Sequence, residues 1–186
     1  MIRFISLVFS LSIALMLLVP FILISIFILL KDRENPLFFS TRIGKNNKTF
    51  SMPKFRTMHS KTPQEATHLL SNPEEFLLTS GPFLRKYSLD ELPQIFSVIK
   101  GDMAFVGPRP ALFNQNDLID LRNEKGISQL KPGVTGWAQV NGRDELSLPE
   151  KVKCDEEYLK RASIGFDMHI IGLTILKVLK KDGISH

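Results

Sequence analysis

Two adjacent carboxylates, Asp90 and Glu91, stand in the run Leu84-Arg85-Lys86-Tyr87-Ser88-Leu89-Asp90-Glu91-Leu92-Pro93-Gln94. Arg85 and Lys86 lie just upstream, Asp102 lies just downstream, and Arg109 sits between Pro108 and Pro110. An ionised aspartate can act as an oxygen nucleophile, ligate a metal or simply cap a helix. Arginine grips phosphate oxygens in bidentate fashion, and a carboxylate pair can hold a magnesium ion whose other positions go to water and phosphate. The two prolines restrict Gly107 and Arg109 to extended conformations, so the Arg109 guanidinium rides on a stiff loop. Metal-holding carboxylates and phosphate-gripping arginines are the parts that phosphoryl transfer requires.

The elements that must position these groups follow from pattern. Ser88 is a candidate helix cap, with Glu91 completing a capping box; in the other register Leu92 caps and Pro93 is the first helical residue. Either way Asp90 falls near the positive end of a short helix through Ile95, Phe96, Val98 and Ile99, which stops at Gly101. Upstream, Leu37 to Ile43 and Thr49 to Met58 read as a β-hairpin around Gly44-Lys45-Asn46-Asn47. An extended Lys54-Phe55-Arg56 places Lys54 and Arg56 on one face, as a diphosphate clamp or as a solvated strand edge; Pro53 marks an edge or a bulge. Residues 61–79 read as a polar connection, and Ala111 to Asn123 as a helix. If the run from Trp137 to Arg143 is extended, Trp137, Gln139 and Asn141 share one side. The amides and Arg143 then suit a uracil or ribose, with the indole either stacking on the base or anchoring the core. Met168 to Leu179 reads as an apolar helix, docked at a membrane surface or packed in the core, with Lys177, Lys180 and Lys181 at its end.

Residues 4–30 carry no charged side chain. One straight helix over them would be ~40 Å long, against a hydrocarbon core of ~30 Å. Pro20 divides it into arms of roughly 24 and 16 Å, which can enter and leave by one face. Arg3 before the segment and Lys31, Arg33, Arg42, Lys45 and Lys48 after it place both ends on the cytoplasmic side; a tilted, kinked span is the alternative. The chain of 186 residues has the size of one modest domain, with the membrane segment over 1–35 and the remainder over 36–186. Its net charge of +5 suits an anionic partner. Nucleic acid is disfavoured, because the basic residues are dispersed and only one Trp and two Tyr accompany them. The single cysteine excludes an internal disulfide, and neither it nor the four scattered histidines suggests a zinc site.

Several of these runs resemble signature blocks of one family. They are Lys54 to Met58, Ser88 to Gln94, Lys100-Gly101-Asp102-Met103, Val106-Gly107-Pro108-Arg109-Pro110 and Lys131 to Arg143, with Asp155, Tyr158 and Asp167 similarly arranged beyond. From about Pro36 to Thr174 the chain resembles the bacterial sugar transferases, the monotopic phosphoglycosyl transferases that begin glycan assembly on a polyprenol phosphate. The resemblance implies an α+β fold: a helix-rich single catalytic domain with a small β-hairpin or sheet, preceded by a re-entrant membrane helix kinked at Pro20. That helix is broken at a Ser-Pro pair in the family and at Val19-Pro20 here, with Ser25 available to bond a carbonyl freed by the proline. The implied reaction moves a phosphosugar from a UDP-sugar to undecaprenyl phosphate on the cytoplasmic face of a bacterial inner membrane, among membrane lipids, and releases UMP. The implied roles are Asp90 as nucleophile and Glu91 as its partner, both at a Mg2+ ion. Lys54, Arg56, Arg85, Pro108, Arg109, Gln139, Asn141 and Arg143 would meet the donor and its phosphates. A direct transfer without a covalent intermediate and an inactive scaffold of a glycan-assembly complex are the alternatives.

Overall fold

Pro20 removes one backbone donor and presses its ring on the carbonyl four residues back, so the helical ladder must yield just upstream of it. In the computed structural model, which describes Val8 and residues 11–63, 72–142 and 145–180, it yields at Leu17. Residues 11–16 are helical, Leu17 takes turn geometry (φ −83°, ψ −4°), and α1 (Leu18–Asp32) follows. Ser25 does not serve the carbonyl that Pro20 frees: its hydroxyl donates to Phe21 O at 2.8 Å, one turn back within α1. Arg33, in the left-handed region at φ 56°, ends the helix by donating its N–H to Leu29 O. Among the described residues no helix is long and apolar enough to cross a membrane.

The chain divides into two compact units, one of Met1–Ser40 with Met52–Ile99, the other of Thr41–Ser51 with Lys100–Ser185. In the first, Ile28 of α1 is sealed against Phe55, Leu78 and Leu84, with Phe21, Ile24, Leu37, Leu89 and Leu92 around them. Phe21 packs on Phe55 at 4.6 Å and meets Phe96 edge-on at 5.6 Å. Asp32 joins the end of α1 to the start of α2 (Gly81–Lys86): its carboxylate accepts the Thr79 N–H at 2.8 Å and the Ser80 hydroxyl.

Strands β1 (Leu37–Ile43) and β2 (Thr49–Phe55) form the expected two-stranded sheet. Asn46 and Asn47 make its turn at φ 55° and 58°, a region asparagine enters at low cost. β2 stops at Phe55 rather than Met58, because Thr57 and Met58 turn to other partners. Leu78 N donates to Thr57 O at 3.0 Å, and Met58 forms a lone bridge with Leu77.

The second unit is built on β3 (Ala104–Val106), parallel to β4 (Gly133–Thr135), with Ala104 opposite Gly133 and Val106 opposite Thr135. Helices α4 (Asn116–Glu124), α5 (Trp137–Val140), α6 (Leu148–Arg161) and α7 (Ile164–Lys180) pack around the strands. Val106, Val140, Tyr158, Phe166 and Ile170 form one core cluster; Ala111, Leu118, Ile127 and Val152 form another. Helix α7 is longer than expected and two-sided, with Phe166 and Ile170 buried while Ile164, Met168, Ile175 and Leu176 are exposed.

Two expected elements take different form. The helix placed at Ala111 to Asn123 begins only at Asn116, because Ala111 O accepts from Ile43 N at 3.0 Å and the Gln115 side chain accepts from Leu112 N at 2.8 Å. These bonds keep Ala111 and Leu112 out of the helix, and a turn closed by Gln115 N donating to Leu112 O at 3.1 Å leads into it. The run after Gly136 is helical over Trp137–Val140, not extended, and Asn141 closes it by donating its side-chain N–H to Trp137 O at 2.7 Å. Helices with two small two-stranded sheets make this an α+β chain, as expected.

The close approach of β4 to the loop after β3 depends on glycine. A Cβ on Gly136 would stand 2.0 Å from Gly107 O, and one on Gly133 only 2.1 Å from Gly107 N. Neither contact can relax by a side-chain rotation, since both neighbours are backbone. Gly136→Ala is therefore expected to cost about 2 kcal/mol or more of stability, read as a lowered melting temperature in nanodiscs.

Candidate active site

Asp90 and Glu91 lie on a 3-10 helix, Leu89–Gln94, that continues directly into α3 (Ile95–Lys100). Ser88 stands at the helix start, as the first of the two registers had it, with Asp90 and Glu91 in the first turn, but no capping box forms: Ser88 lies in the left-handed region at φ 52°, its hydroxyl makes no cap, and its carbonyl accepts the Glu91 N–H at 3.3 Å. The second register does not occur, since Pro93 lies inside the helix. The turn is tight because its bonds close over three residues, and it holds the two carboxylates on one short rigid arc.

Lys54, near the end of β2, places its ammonium 2.9 Å from Glu91 Oε1 and 3.8 Å from Asp90 Oδ2. All three side chains are largely withdrawn from water, at 12–16% exposure. In such surroundings an ion pair is screened little and the loss of either partner is costly. Arg85 of α2 donates from Nε to Thr57 Oγ1 at 3.0 Å. Burial draws its guanidinium pKa below the ordinary value, and the Asp90 carboxylate works in the opposite sense. The first unit thus brings together four of the residues singled out from sequence: Lys54, Arg85, Asp90 and Glu91.

Arg56 is engaged elsewhere. Its Nε donates to Asn35 O at 2.8 Å, its Nη2 to Leu37 O at 3.2 Å and its backbone N–H to Pro36 O at 2.8 Å. The guanidinium also lies 5.8 Å from the Phe38 ring centre. It clasps the segment that leads from α1 into β1.

The carboxylate pair suits a magnesium ion. A cation, the Lys54 ammonium, already stands against both carboxylates, and the oxygen donors are of the hard type that Mg2+ takes. Among the described residues no group of three or more Asp, Glu, His or Cys side chains gathers at one point. Water and substrate phosphate would have to complete the coordination, which is the usual arrangement for this ion.

In the second unit Arg109 is half-buried between buried Pro108 and Pro110. Gln139, on α5, has both amide atoms buried with no hydrogen-bond partner among the described residues. A buried amide in that state lacks partners worth roughly 1–3 kcal/mol. Asn141 is exposed, and Arg143 lies outside the described residues. The helical form of α5 removes the shared face on which Trp137, Gln139 and Asn141 were to meet a nucleoside. The indole N–H of Trp137 donates to Glu157 Oε2 at 2.8 Å, and its ring packs on Phe166 at 5.0 Å. Of the two roles open to it, Trp137 takes that of core anchor. Asp155 and Tyr158 are buried on α6, and Tyr158 donates to Asp167 of α7 at 2.8 Å. Burial raises the Asp167 carboxyl pKa, with the bond from Tyr158 acting against it. Sequence reasoning passed over Arg122, whose partners are taken up below. A basic residue in the last turn of a helix reads as an ordinary complement to the helix dipole.

Residues 1–181 match the family model described as bacterial sugar transferase. The chain belongs to the bacterial sugar transferase family. Among its relatives is the uncharacterized sugar transferase EpsL of Bacillus subtilis, 42% identical over 81% of this chain and 74% of its own. The UDP-glucose:undecaprenyl-phosphate glucose-1-phosphate transferase of Xanthomonas campestris is 40% identical over 77% of this chain and 32% of its own length. The undecaprenyl-phosphate galactose phosphotransferase of Salmonella typhimurium is 34% identical over 82% of this chain and 35% of its own. This sugar transferase chain therefore spans about three quarters of EpsL and about a third of the other two.

The geometry of the pair has a measurable consequence. Lys54→Met removes a cation from beside two poorly hydrated carboxylates and is expected to cost about 1–3 kcal/mol, seen as a lower melting temperature. Adding Glu91→Gln should recover part of that loss, because the carboxylate charge nearest to the lost ammonium is gone.

Proposed function

We propose that this sugar transferase moves a phosphosugar from a UDP-sugar to undecaprenyl phosphate and releases UMP. The observation that carries the reading is the largely buried Asp90–Glu91 pair on its 3-10 turn, facing the ammonium of Lys54. The undecaprenyl-phosphate transferases among its relatives support the choice of reaction.

An Asp90 carboxylate oxygen attacks the sugar-bearing phosphorus of the donor. The bond from that phosphorus to the bridging oxygen breaks, and UMP leaves with the bridging oxygen and its electron pair. The enzyme then holds the phosphosugar as an aspartyl phosphate. A phosphate oxygen of the polyprenol attacks the same phosphorus, the acyl phosphate bond breaks, and Asp90 is regenerated as a carboxylate. Glu91 keeps Lys54 in place and orients Asp90, while Arg85 and Arg109 neutralise phosphate charge. Lys54 can pass from the carboxylates to the diphosphate as the donor enters, and Pro108 keeps the Arg109 loop stiff. Gln139, whose buried amide has no hydrogen-bond partner among the described residues, is the group of that run left to bond a polar substrate atom. Magnesium, held by Asp90, Glu91 and the donor phosphates, would supply further charge neutralisation.

The lipid acceptor calls for a site at a membrane surface. Helix α1 exposes Leu18, Val19, Ile22, Leu23, Ile26, Leu29 and Leu30, an apolar surface suited to lipid rather than water. We place it as a re-entrant segment in a bacterial inner membrane, with the catalytic residues on the cytoplasmic face.

Intact-protein mass spectrometry with Mg2+ and a panel of UDP-sugars, without polyprenol phosphate, tests the mechanism. The expected result is a mass gain of one phosphosugar, absent in Asp90→Asn and discharged by undecaprenyl phosphate. UMP release only when the lipid is added, with no adduct, would replace the covalent route by direct transfer. No adduct and no UMP across the panel would point to an inactive scaffold.

A further inference from the structure

Every backbone carbonyl from Pro108 to Ala111 is held by a donor. Gly133 N donates to Pro108 O at 2.9 Å, Arg122 Nη1 to Arg109 O at 2.9 Å, Arg42 Nη1 to Pro110 O at 3.3 Å and Ile43 N to Ala111 O at 3.0 Å. Just before them Gly107 N donates to Thr135 O at 2.9 Å. Proline at 108 and 110 has no N–H to contribute, so these accepted bonds are how the loop is tied down. Pro108, Pro110 and Ala111 also border a cavity of about 30 Å3 that Arg122 lines. The anchor behind Arg109 is itself anchored. Arg122 Nη2 and Nε donate to Asp155 Oδ2 at 2.7 and 3.0 Å, with Asp155 1% exposed and the Arg122 side chain 12% exposed. Burial raises the Asp155 carboxyl pKa, and the Arg122 charge and its hydrogen bonds act against that.

We propose that Arg122 and Asp155 are positioning residues for Arg109: the carboxylate fixes the Arg122 fork, and the fork fixes the backbone from which the Arg109 guanidinium reaches the donor phosphate. The planar guanidinium is essential, since one rigid group must point at a carboxylate and a carbonyl at once. An ammonium can satisfy the carboxylate but has no fixed second arm. The catalytic part of this proposal rests on the transferase reading above.

The decisive variant is Arg122→Lys, with Asp155→Asn as a second in case the first fails to fold, both as full chains in nanodiscs. Two readouts are taken. Hydrogen exchange is measured on the peptide carrying Gly107 to Ala111, without substrate. The kcat/KM for a UDP-sugar is measured in wild-type and Arg109→Ala backgrounds. The expected result is faster exchange in that peptide together with a loss of roughly 10- to 100-fold in kcat/KM. In the Arg109→Ala background the same substitution should add little further loss, because it acts through the residue already removed. Unchanged exchange overturns the anchoring. An equal loss in both backgrounds overturns the action through Arg109 and leaves a merely structural pair. A wild-type enzyme that is silent on every UDP-sugar overturns the transferase reading and the catalytic role with it, while exchange alone then decides the anchoring.

Discussion

Withdrawing two carboxylates from water beside one ammonium is the constraint that shapes the first unit. Asp90, Glu91 and Lys54 come from segments far apart in sequence, and the pair is stable only if both segments are held rigidly. The 3-10 turn supplies rigidity on one side and the end of β2 on the other. Phe55, next to Lys54, is buried against Ile28, Leu78 and Leu84, so the strand that carries the ammonium is locked by the core that receives α1. A helix exposing an apolar surface and a charged cluster thus share one set of packing contacts.

The second unit solves a related problem with a different cation. Asp155 is more deeply buried than Asp90, and it faces an arginine whose planar fork can meet two acceptors in fixed directions. Lys54, by contrast, is a compact charge on a flexible stem and can follow a phosphate or yield to a metal ion. Arginine where geometry is to be held, and lysine where a charge is to be handed over, fits the chemistry of each place.

Much of the candidate site was legible in the chain, and the limits have physical causes. The bounds of β1, the place of the hairpin turn and the presence, though not the start, of the C-terminal helix follow from alternation, turn residues and apolar periodicity, all of which are local signals. Asp90, Glu91 and Arg109 stand out through the company they keep, with Arg85 and Lys86 upstream and the proline-flanked arginine downstream, since an acidic pair at a helix start is by itself ordinary. What local pattern cannot express is competition for backbone groups. Ser88 does start the helix, but its left-handed backbone leaves the hydroxyl without the cap bond that the capping-box pattern implies. Ala111 looks helical until Ile43 claims its carbonyl. Arg56 reads as a phosphate ligand beside Lys54, and the structure also gives its Nε and Nη2 the carbonyls of Asn35 and Leu37, a tie between distant backbone segments that no local pattern announces. The helical turn at Trp137 likewise depends on Gly136 fitting against Gly107, a contact between residues of two different strands' loops.

The division of the sheet of β1 and β2 between the units bears on how the chain is made. The unit that carries Arg109 takes Thr41–Ser51 from early in the chain, and Arg42 and Ile43 of that stretch hold Pro110 and Ala111. On the ribosome this stretch emerges first and must wait, unpaired with its later partners, while the whole of the Asp90-bearing segment is synthesised. The Arg109 loop therefore acquires its last anchors only after the surroundings of Asp90 have left the exit tunnel, and expression of residues 100–185 alone would yield a loop with two of its carbonyl ties missing.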